Sequence, residues 1–172
     1  QKLPKLDGRT YESCDLEPLR QIKSEEEIGK IRQAANIADK AFSELLDWIR
    51  PGVTEREVAL FLDFAMMKSG AEKTSFATIV GSGPNGALPH AVPGERALTE
   101  GDLVVIDFGA VYDGYCSDET RTLAIGKATE EQKRIYQIVL KAQLAGLEAI
   151  CPGVSNLAVD RASRDIITEA GY

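Results

Sequence analysis

The chain has 172 residues, 44% of them hydrophobic and 27% charged, a composition typical of a globular protein with one domain of ordinary size. The formal net charge is -7, which argues against a nucleic-acid or anionic-membrane partner, because phosphate-rich surfaces bind basic patches. No apolar run approaches the roughly 20 residues that a membrane helix needs. The cysteines show neither a disulfide framework nor a metal-binding spacing, which predicts a reducing, cytoplasmic location; they are Cys14, Cys116 and Cys151.

Two amphipathic helices are predicted in the first half of the chain. Residues 1–20 show no apolar periodicity and are interpreted as a lead-in or linker from a preceding domain. The first helix is expected to run up to Pro51-Gly52, and the second is expected to end at Gly70. Each begins at a capping box, in which Ser or Thr is followed three residues later by Glu: Ser24 with Glu27, and Thr54 with Glu57.

The middle of the chain changes to an alternation of apolar and polar side chains, which predicts strands. These segments lie around 75–80, 103–111 and 115–125, and the turn-rich stretch GSGPNGALPHAVPG separates the first from the second. A third helix is expected from Thr129 to Ile150, with Gln132 as its capping partner.

Two helical segments of the chain resemble each other. IRPGVTEREVALFLDFAMMKSGA (49–71) aligns without a gap with ICPGVSNLAVDRASRDIITEAGY (150–172), and a long amphipathic helix precedes each. A duplicated β-α-α unit is therefore expected. The second copy stops at Tyr172, where the strands that follow the first copy would begin. We expect residues 21–172 to be the N-terminal part of one α+β domain whose second repeat is truncated.

In the segment LVVIDFGAVYDGYCSDETRTLAI (103–125), Asp107 and Asp118 flank an Asp113-Gly114 pair that favours a type I′ turn. A turn centred there puts Asp107 opposite Thr120, with Asp118 diagonal to Asp107; a turn centred one residue earlier puts the two aspartates opposite each other. Either register leaves both carboxylates on one face unless a bulge intervenes. Because such carboxylates repel each other, a divalent cation is one interpretation, and solvated residues of an edge hairpin are the other.

His90 is the single histidine of the chain. It lies in a loop rich in glycine and proline, where an exposed side chain is suited to contact a substrate. A lone histidine is nevertheless more often a surface or core residue than a catalytic one.

With these motifs in view, the sequence resembles the creatinase/aminopeptidase ("pita-bread") family, in its Xaa-Pro aminopeptidase and Xaa-Pro dipeptidase branch. The resemblance runs from about Leu19 to Tyr172, and it is carried by VVIDFGAVYDGYCSDETRT, SFATIVGSGPNGALPH, IKSEEEIGKIRQAANIADKAF and the two PGV segments. It implies a curved antiparallel sheet with amphipathic helices on its outer face. It also implies a metallopeptidase with two divalent ions (Mn, Co or Zn) that cleaves peptides with proline at the second position, often as a homodimer.

The same resemblance implies roles for three residues. Asp107 would bind one metal ion in bidentate fashion, Asp118 would bridge both ions, and His90 would be the catalytic residue that contacts the substrate. The family also needs one histidine ligand and two glutamate ligands, which would follow Tyr172. With two of the five ligands, the 172-residue chain is expected to be inactive by itself.

Two alternatives stay open. A non-catalytic peptide-binding module can keep this fold without metal, although such a module has no need to crowd two carboxylates. A methionine-aminopeptidase-like enzyme is the other alternative, and the loop GALPHAVPG (86–94) resembles the proline-specific branch more closely.

Overall fold

The structure is a computed structural model that describes residues 17–172. Most of the predicted lead-in, and Cys14 with it, therefore lies outside the described residues. Within them the chain forms five α-helices, six strands and one 3-10 helix. In chain order the elements are α1 (Glu17–Gln21), α2 (Glu25–Leu46), α3 (Glu55–Lys68), β1 (Lys73–Thr74), β2 (Ile79–Ser82), the 3-10 helix (Gly83–Ala87), β3 (Leu103–Phe108), β4 (Ala110–Tyr112), β5 (Tyr115–Cys116), β6 (Glu119–Ala124), α4 (Glu130–Ala149) and α5 (Asn156–Glu169).

The capping boxes predicted for the helices are confirmed. The Ser24 N–H donates to Glu27 Oε2 over 2.6 Å, and the Glu27 N–H donates back to Ser24 Oγ over 3.3 Å. Thr129 and Gln132 form the same reciprocal pair at the start of α4. Each pair satisfies backbone N–H groups that the first turn leaves without partners, and each helix begins at the residue that its capping box predicts.

The turn at Asp113-Gly114 is also confirmed, and it decides between the two registers. Both residues have positive φ angles, 46° and 77°, as a type I′ turn requires. Tyr112 pairs with Tyr115 across it. The strands that flank this turn are not continuous, however: Gly109 divides β3 from β4, and residues 117–118 divide β5 from β6.

The first of two compact units comprises residues 17–47, 62–77 and 108–119. Its sheet has the order β1-β4-β5, and α2 packs against β4 and β5. The rings of Phe42 and Phe108 stack with their centroids 5.6 Å apart. The buried residues of α2 are Ala34, Ile37, Ala38, Ala41 and Leu45.

The second unit comprises residues 48–61, 78–107 and 120–172. Its sheet has the order β2-β3-β6, and the antiparallel pairing of β2 with β3 places Ile79 opposite Asp107. Val80, Val104 and Ile106 are fully buried there. Helices α4 and α5 of this unit pack against each other.

The internal repeat is visible in the backbone. Helices α3 and α5 each span 14 residues at aligned positions. The glycine of each Pro-Gly pair has nearly the same positive φ, 90° at Gly52 and 88° at Gly153. Among the helices of residues 17–172, none combines the length and the apolar character needed to cross a bilayer.

Candidate metal centre and histidine loop

Asp107 lies near the end of β3, a strand whose side chains alternate regularly between buried and half-buried. Val104, Ile106 and Phe108 are buried, so the residues between them, Asp107 included, turn to the other face. The Thr120 hydroxyl donates to Asp107 Oδ1 over 2.8 Å. This is the partner expected from a turn at Asp113-Gly114. The carboxylate is therefore oriented by a neighbouring strand and half-exposed to ligands.

Asp118 is exposed and lies in the break between β5 and β6. The residue before it, Ser117, is buried and holds the backbone of this break. The Ser117 hydroxyl accepts from the Ala110 N–H over 3.0 Å and donates to the Ala34 carbonyl over 3.3 Å. The Ser117 carbonyl accepts from the Ser75 hydroxyl over 2.8 Å. These bonds of the buried Ser117 fix the backbone next to Asp118.

Gly109 faces this break and leaves room for it. A Cβ atom built on Gly109 would collide with the Ser117 carbonyl and with the Ser75 hydroxyl. The glycine of the DFG sequence is therefore required by the close approach of two backbone segments.

His90 is exposed, as predicted for a residue that contacts a substrate. The next residue, Ala91, is buried, and its N–H donates to the Leu88 carbonyl over 3.2 Å. The imidazole therefore stands next to a residue that is buried and hydrogen-bonded within the loop.

A partly buried ion pair lies beside the same loop. The Arg96 guanidinium donates to both carboxylate oxygens of Asp102, over 2.7 and 3.0 Å. These bonds hold the pKa of Asp102 below its ordinary value, with further help from the Thr99 N–H and hydroxyl. Arg96 also donates to the Ser82 hydroxyl over 2.6 Å. The ion pair is therefore hydrogen-bonded to the residue at which the loop leaves β2.

The donor chemistry of Asp107 and Asp118 fits a divalent cation, since exposed or half-exposed carboxylate oxygens are ligands that Mn, Co and Zn accept. Within residues 17–172, no three or more His, Cys, Asp or Glu side chains form a group that could hold a metal ion. Asp107 and His90 belong to the second unit and Asp118 to the first, and the metal site that the two aspartates would share stays a prediction.

The sequence did not predict the roles of two residues that shape these segments. Ser117 is a small polar residue beside an aspartate, and no local pattern distinguishes a buried serine of this kind from an exposed one. Glu55, at the start of α3, is fully buried and hydrogen-bonded to Ser82, where the loop that carries His90 begins. Its one sequence signal is an acidic residue in the first turn of a helix, which is common for other reasons.

Residues 29–172 match metallopeptidase family M24, and the chain belongs to this family. The resemblance inferred from the sequence motifs is therefore confirmed. Because the match covers most of the chain, it includes Asp107, Asp118 and His90.

Relatives and solved structures agree with this placement. The Xaa-Pro dipeptidase of Pyrococcus furiosus is 46% identical over 157 residues, which are 91% of this chain and 45% of the relative. The structure of Xaa-Pro dipeptidase from Bacillus anthracis is 50% identical with a TM-score of 0.89, over 91% of this chain and 44% of that one. X-Pro aminopeptidase from Thermotoga maritima is 43% identical with a TM-score of 0.89, over 91% and 45%.

These comparisons confirm the predicted α+β, pita-bread-type fold class. The relatives named above come from the proline-specific branch, as the loop GALPHAVPG indicated. The chain spans less than half the length of each of these proteins.

Proposed function

We propose that this chain contributes Asp107 and Asp118 as metal ligands, and His90 as a substrate-contacting catalytic residue, to a peptidase that cleaves the bond before proline. The observation that carries the proposal is the half-exposed carboxylate of Asp107, oriented by Thr120 on a strand of otherwise apolar side chains, in a member of a metallopeptidase family. An acidic side chain held in this way is suited to a cation, because its orientation is set before the ligand arrives.

Each residue has a distinct task in this proposal. The Thr120 hydroxyl holds Asp107 Oδ1, so that the carboxylate faces its ligand in one orientation. Asp118 adds a second carboxylate from the exposed break that Ser117 holds in place. Divalent ions, when bound, would polarise the scissile carbonyl and lower the pKa of a water molecule. The exposed His90 would donate or accept a hydrogen bond at the substrate and so orient the peptide bond before proline.

The ions we propose are Mn, Co or Zn, and the substrate is a peptide with proline at its second position. The names of the relatives support the substrate class, since they describe Xaa-Pro dipeptidases and an X-Pro aminopeptidase. A cytoplasmic location and a homodimer belong to the same proposal. The thiols of Cys116 and Cys151 are free and exposed, as suits a reducing compartment.

The proposal is tested by a chimera in which this chain replaces the matching segment of the Bacillus anthracis Xaa-Pro dipeptidase. With Mn or Co added, the chimera is expected to hydrolyse an Xaa-Pro dipeptide and to leave the corresponding Xaa-Ala dipeptide intact. Asp107→Asn and Asp118→Asn should each reduce kcat/KM at least about a hundredfold, because a metal ligand is removed. The matched control is Asp165→Asn, an exposed aspartate of α5, which should leave activity unchanged.

A folded chimera that cleaves Xaa-Pro equally well after Asp107→Asn would contradict the proposed ligand role. The 172-residue chain, assayed with the same metals, is expected to be silent, because one histidine and two aspartates do not complete a two-metal site. Clear turnover by that chain, lost in Asp107→Ala, would show that the ligands present suffice.

A further inference from the structure

A carboxylate is completely buried in the first turn of α3. Glu55 has an exposed fraction of 0%, whereas Glu57 in the same turn is exposed and caps the helix through Thr54. Burying a carboxylate is unfavourable unless hydrogen bonds replace its hydration. The partners of Glu55 therefore indicate what its burial achieves.

All of these partners belong to the loop that carries His90. Glu55 Oε1 accepts from the Ser82 N–H over 2.8 Å, from the Ser82 hydroxyl over 2.7 Å and from Asn85 Nδ2 over 3.0 Å. Glu55 Oε2 accepts from Asn85 Nδ2 over 3.2 Å and from the Gly94 N–H over 3.3 Å. One carboxylate thus joins the beginning, the 3-10 helix and the end of the loop 82–94.

The backbone around Glu55 closes the same loop. The Glu55 N–H donates to the Arg96 carbonyl and the Arg56 N–H to the Gly94 carbonyl, both over 3.0 Å. At the other end, a Cβ atom on Gly81 would lie 2.7 Å from the Asn85 carbonyl oxygen and 3.1 Å from Ala91 Cβ. The loop is therefore packed tightly on both sides of His90, and the carboxylate of Glu55 links its two ends.

The carboxylate is charged at neutral pH. Burial by itself raises the pKa of Glu55, but the hydrogen bonds from Ser82, Asn85 and Gly94 together outweigh burial and hold the pKa below the ordinary value of 4.5. An ionised carboxylate accepts at both oxygens, which is what two backbone N–H donors, a hydroxyl and an amide require.

The internal repeat shows that the helix itself does not need this residue. In the aligned segment, Asn156 takes the place of Glu55 at the first position of α5. Asn156 is exposed, and its side chain accepts from the adjacent Leu157 N–H over 2.9 Å. Since α5 forms with the same length and the same Pro-Gly turn, the buried glutamate of the first copy serves the loop and not the helix.

We propose that Glu55 is a positioning residue: its buried carboxylate fixes the loop 82–94 and thereby the place at which His90 meets the substrate. This inference rests on the proposed role of His90. Glu55 does not contact the substrate in this scheme; it acts through the loop.

The test replaces Glu55 by Gln, which keeps the size of the side chain but turns one acceptor oxygen into an NH2 donor. That donor must face Asn85 or Gly94, which are donors themselves. In the 172-residue chain, amide hydrogen exchange at Ser82 and Gly94 should become roughly ten- to a hundredfold faster. The ring signals of His90, the single histidine, should shift or broaden. Amide exchange in α4 and α5 should stay unchanged.

Glu57→Gln is the matched control, because it changes an exposed glutamate of the same helical turn and should leave the loop amides and the His90 ring unaffected. If Glu55→Gln does not fold, Asn85→Ala removes one donor and keeps the carboxylate, and it should produce a smaller change at the same amides. Unaltered loop exchange and unaltered His90 signals in the folded variants would overturn the proposal.

The chimera supplies the catalytic readout. Glu55→Gln should lower kcat/KM for an Xaa-Pro dipeptide at least about tenfold while metal affinity remains near that of the parent chimera. Unchanged kcat/KM in a variant whose loop exchange has increased would also overturn the positioning role. An inactive chimera with Glu55 intact would count against the proposed function alone, since the amide and histidine measurements decide the structural part independently.

Discussion

The two helix pairs of this chain share their local chemistry and differ in burial. Both pairs have a capping box at the first helix, a Pro-Gly turn and a second helix of 14 residues. In the first pair, α2 buries five residues and packs against β4 and β5. In the second pair, α4 buries two residues, and none of the 14 residues of α5, all within the described range, is buried.

This difference separates two sources of helix structure. Caps and turns specify where a helix begins and ends, and they act equally in both pairs. Burial depends on a sheet against the apolar face, which the described strands provide for α2 and do not provide to the same extent for α4. Large apolar side chains such as Leu147 and Ile150 accordingly remain more than half exposed.

The largest expected effect is a difference in free energy of unfolding between leucine variants of the two helix pairs. Leu45→Ala in α2 removes a side chain with an exposed fraction of 0% and should lower the free energy of unfolding by about 2–5 kcal/mol. Leu147→Ala in α4 removes a side chain that is 58% exposed and should change the free energy of unfolding by less than about 0.5 kcal/mol. Urea unfolding followed by circular dichroism measures both.

Equal losses in the two leucine variants would break the comparison. They would mean that the apolar face of α4 is covered in solution. Repeating the Leu147→Ala measurement over a range of protein concentrations would show whether a second copy covers it.

A smaller effect compares Glu55 with its counterpart Asn156. Glu55→Gln should lower the free energy of unfolding by about 1–3 kcal/mol at pH 7, because buried donors lose their acceptor. The pKa of Glu55 is lowered in the folded chain, so its contribution is complete above the unfolded pKa near 4.5 and is lost as the pH falls through the lower folded value. The difference in free energy of unfolding between the parent chain and Glu55→Gln should therefore become smaller in acid. Unfolding curves measured between pH 7 and pH 3 would show this.

Asn156→Ala provides the control for that experiment. Its side chain is exposed, so the substitution should shift the free energy of unfolding by less than about 0.5 kcal/mol at every pH. A gap for Glu55→Gln that stays constant into acid would mean that the charge of Glu55 contributes nothing beyond its shape.

The smallest expected effect is one that the two pairs share. Ser24→Ala and Thr129→Ala each remove the cap of a long helix and should each cost about 1 kcal/mol, because the lost hydrogen bond is local and exposed in both cases. The far-ultraviolet ellipticity of the two variants, measured against temperature, gives this comparison. Markedly different costs would show that tertiary packing, and not the cap alone, sets the start of α2 or α4.

The elements that the sequence predicted well are those fixed by neighbours in the chain. The caps at Ser24 and Thr129 and the turn at Asp113-Gly114 involve residues within a few positions of each other. The alternation in β3 placed Asp107 on the half-exposed face, and the turn centred on Asp113-Gly114, one of the two registers open from the sequence, gave Thr120 as its partner. In each case local geometry leaves few alternatives.

The features that the sequence did not predict depend on distant segments. The division of the strands at Gly109 and Ser117 follows from contacts with Ser75 and Ala34. The burial of Glu55 follows from a loop that begins at Ser82. Periodicity records which side of an element is apolar, but it carries no information about which remote donor will meet a carboxylate.

The most direct test of the central proposal, that Asp107 and Asp118 bind divalent metal, is titration of the isotope-labelled chain with Mn²⁺ while its amide signals are followed by NMR. Paramagnetic broadening is expected first at the amides around Asp107 and Asp118, and Asp107→Asn or Asp118→Asn should abolish it at both positions, whereas Asp165→Asn should not. Broadening confined to other acidic surfaces, or broadening at Asp107 that persists in Asp118→Asn, would contradict a shared metal site.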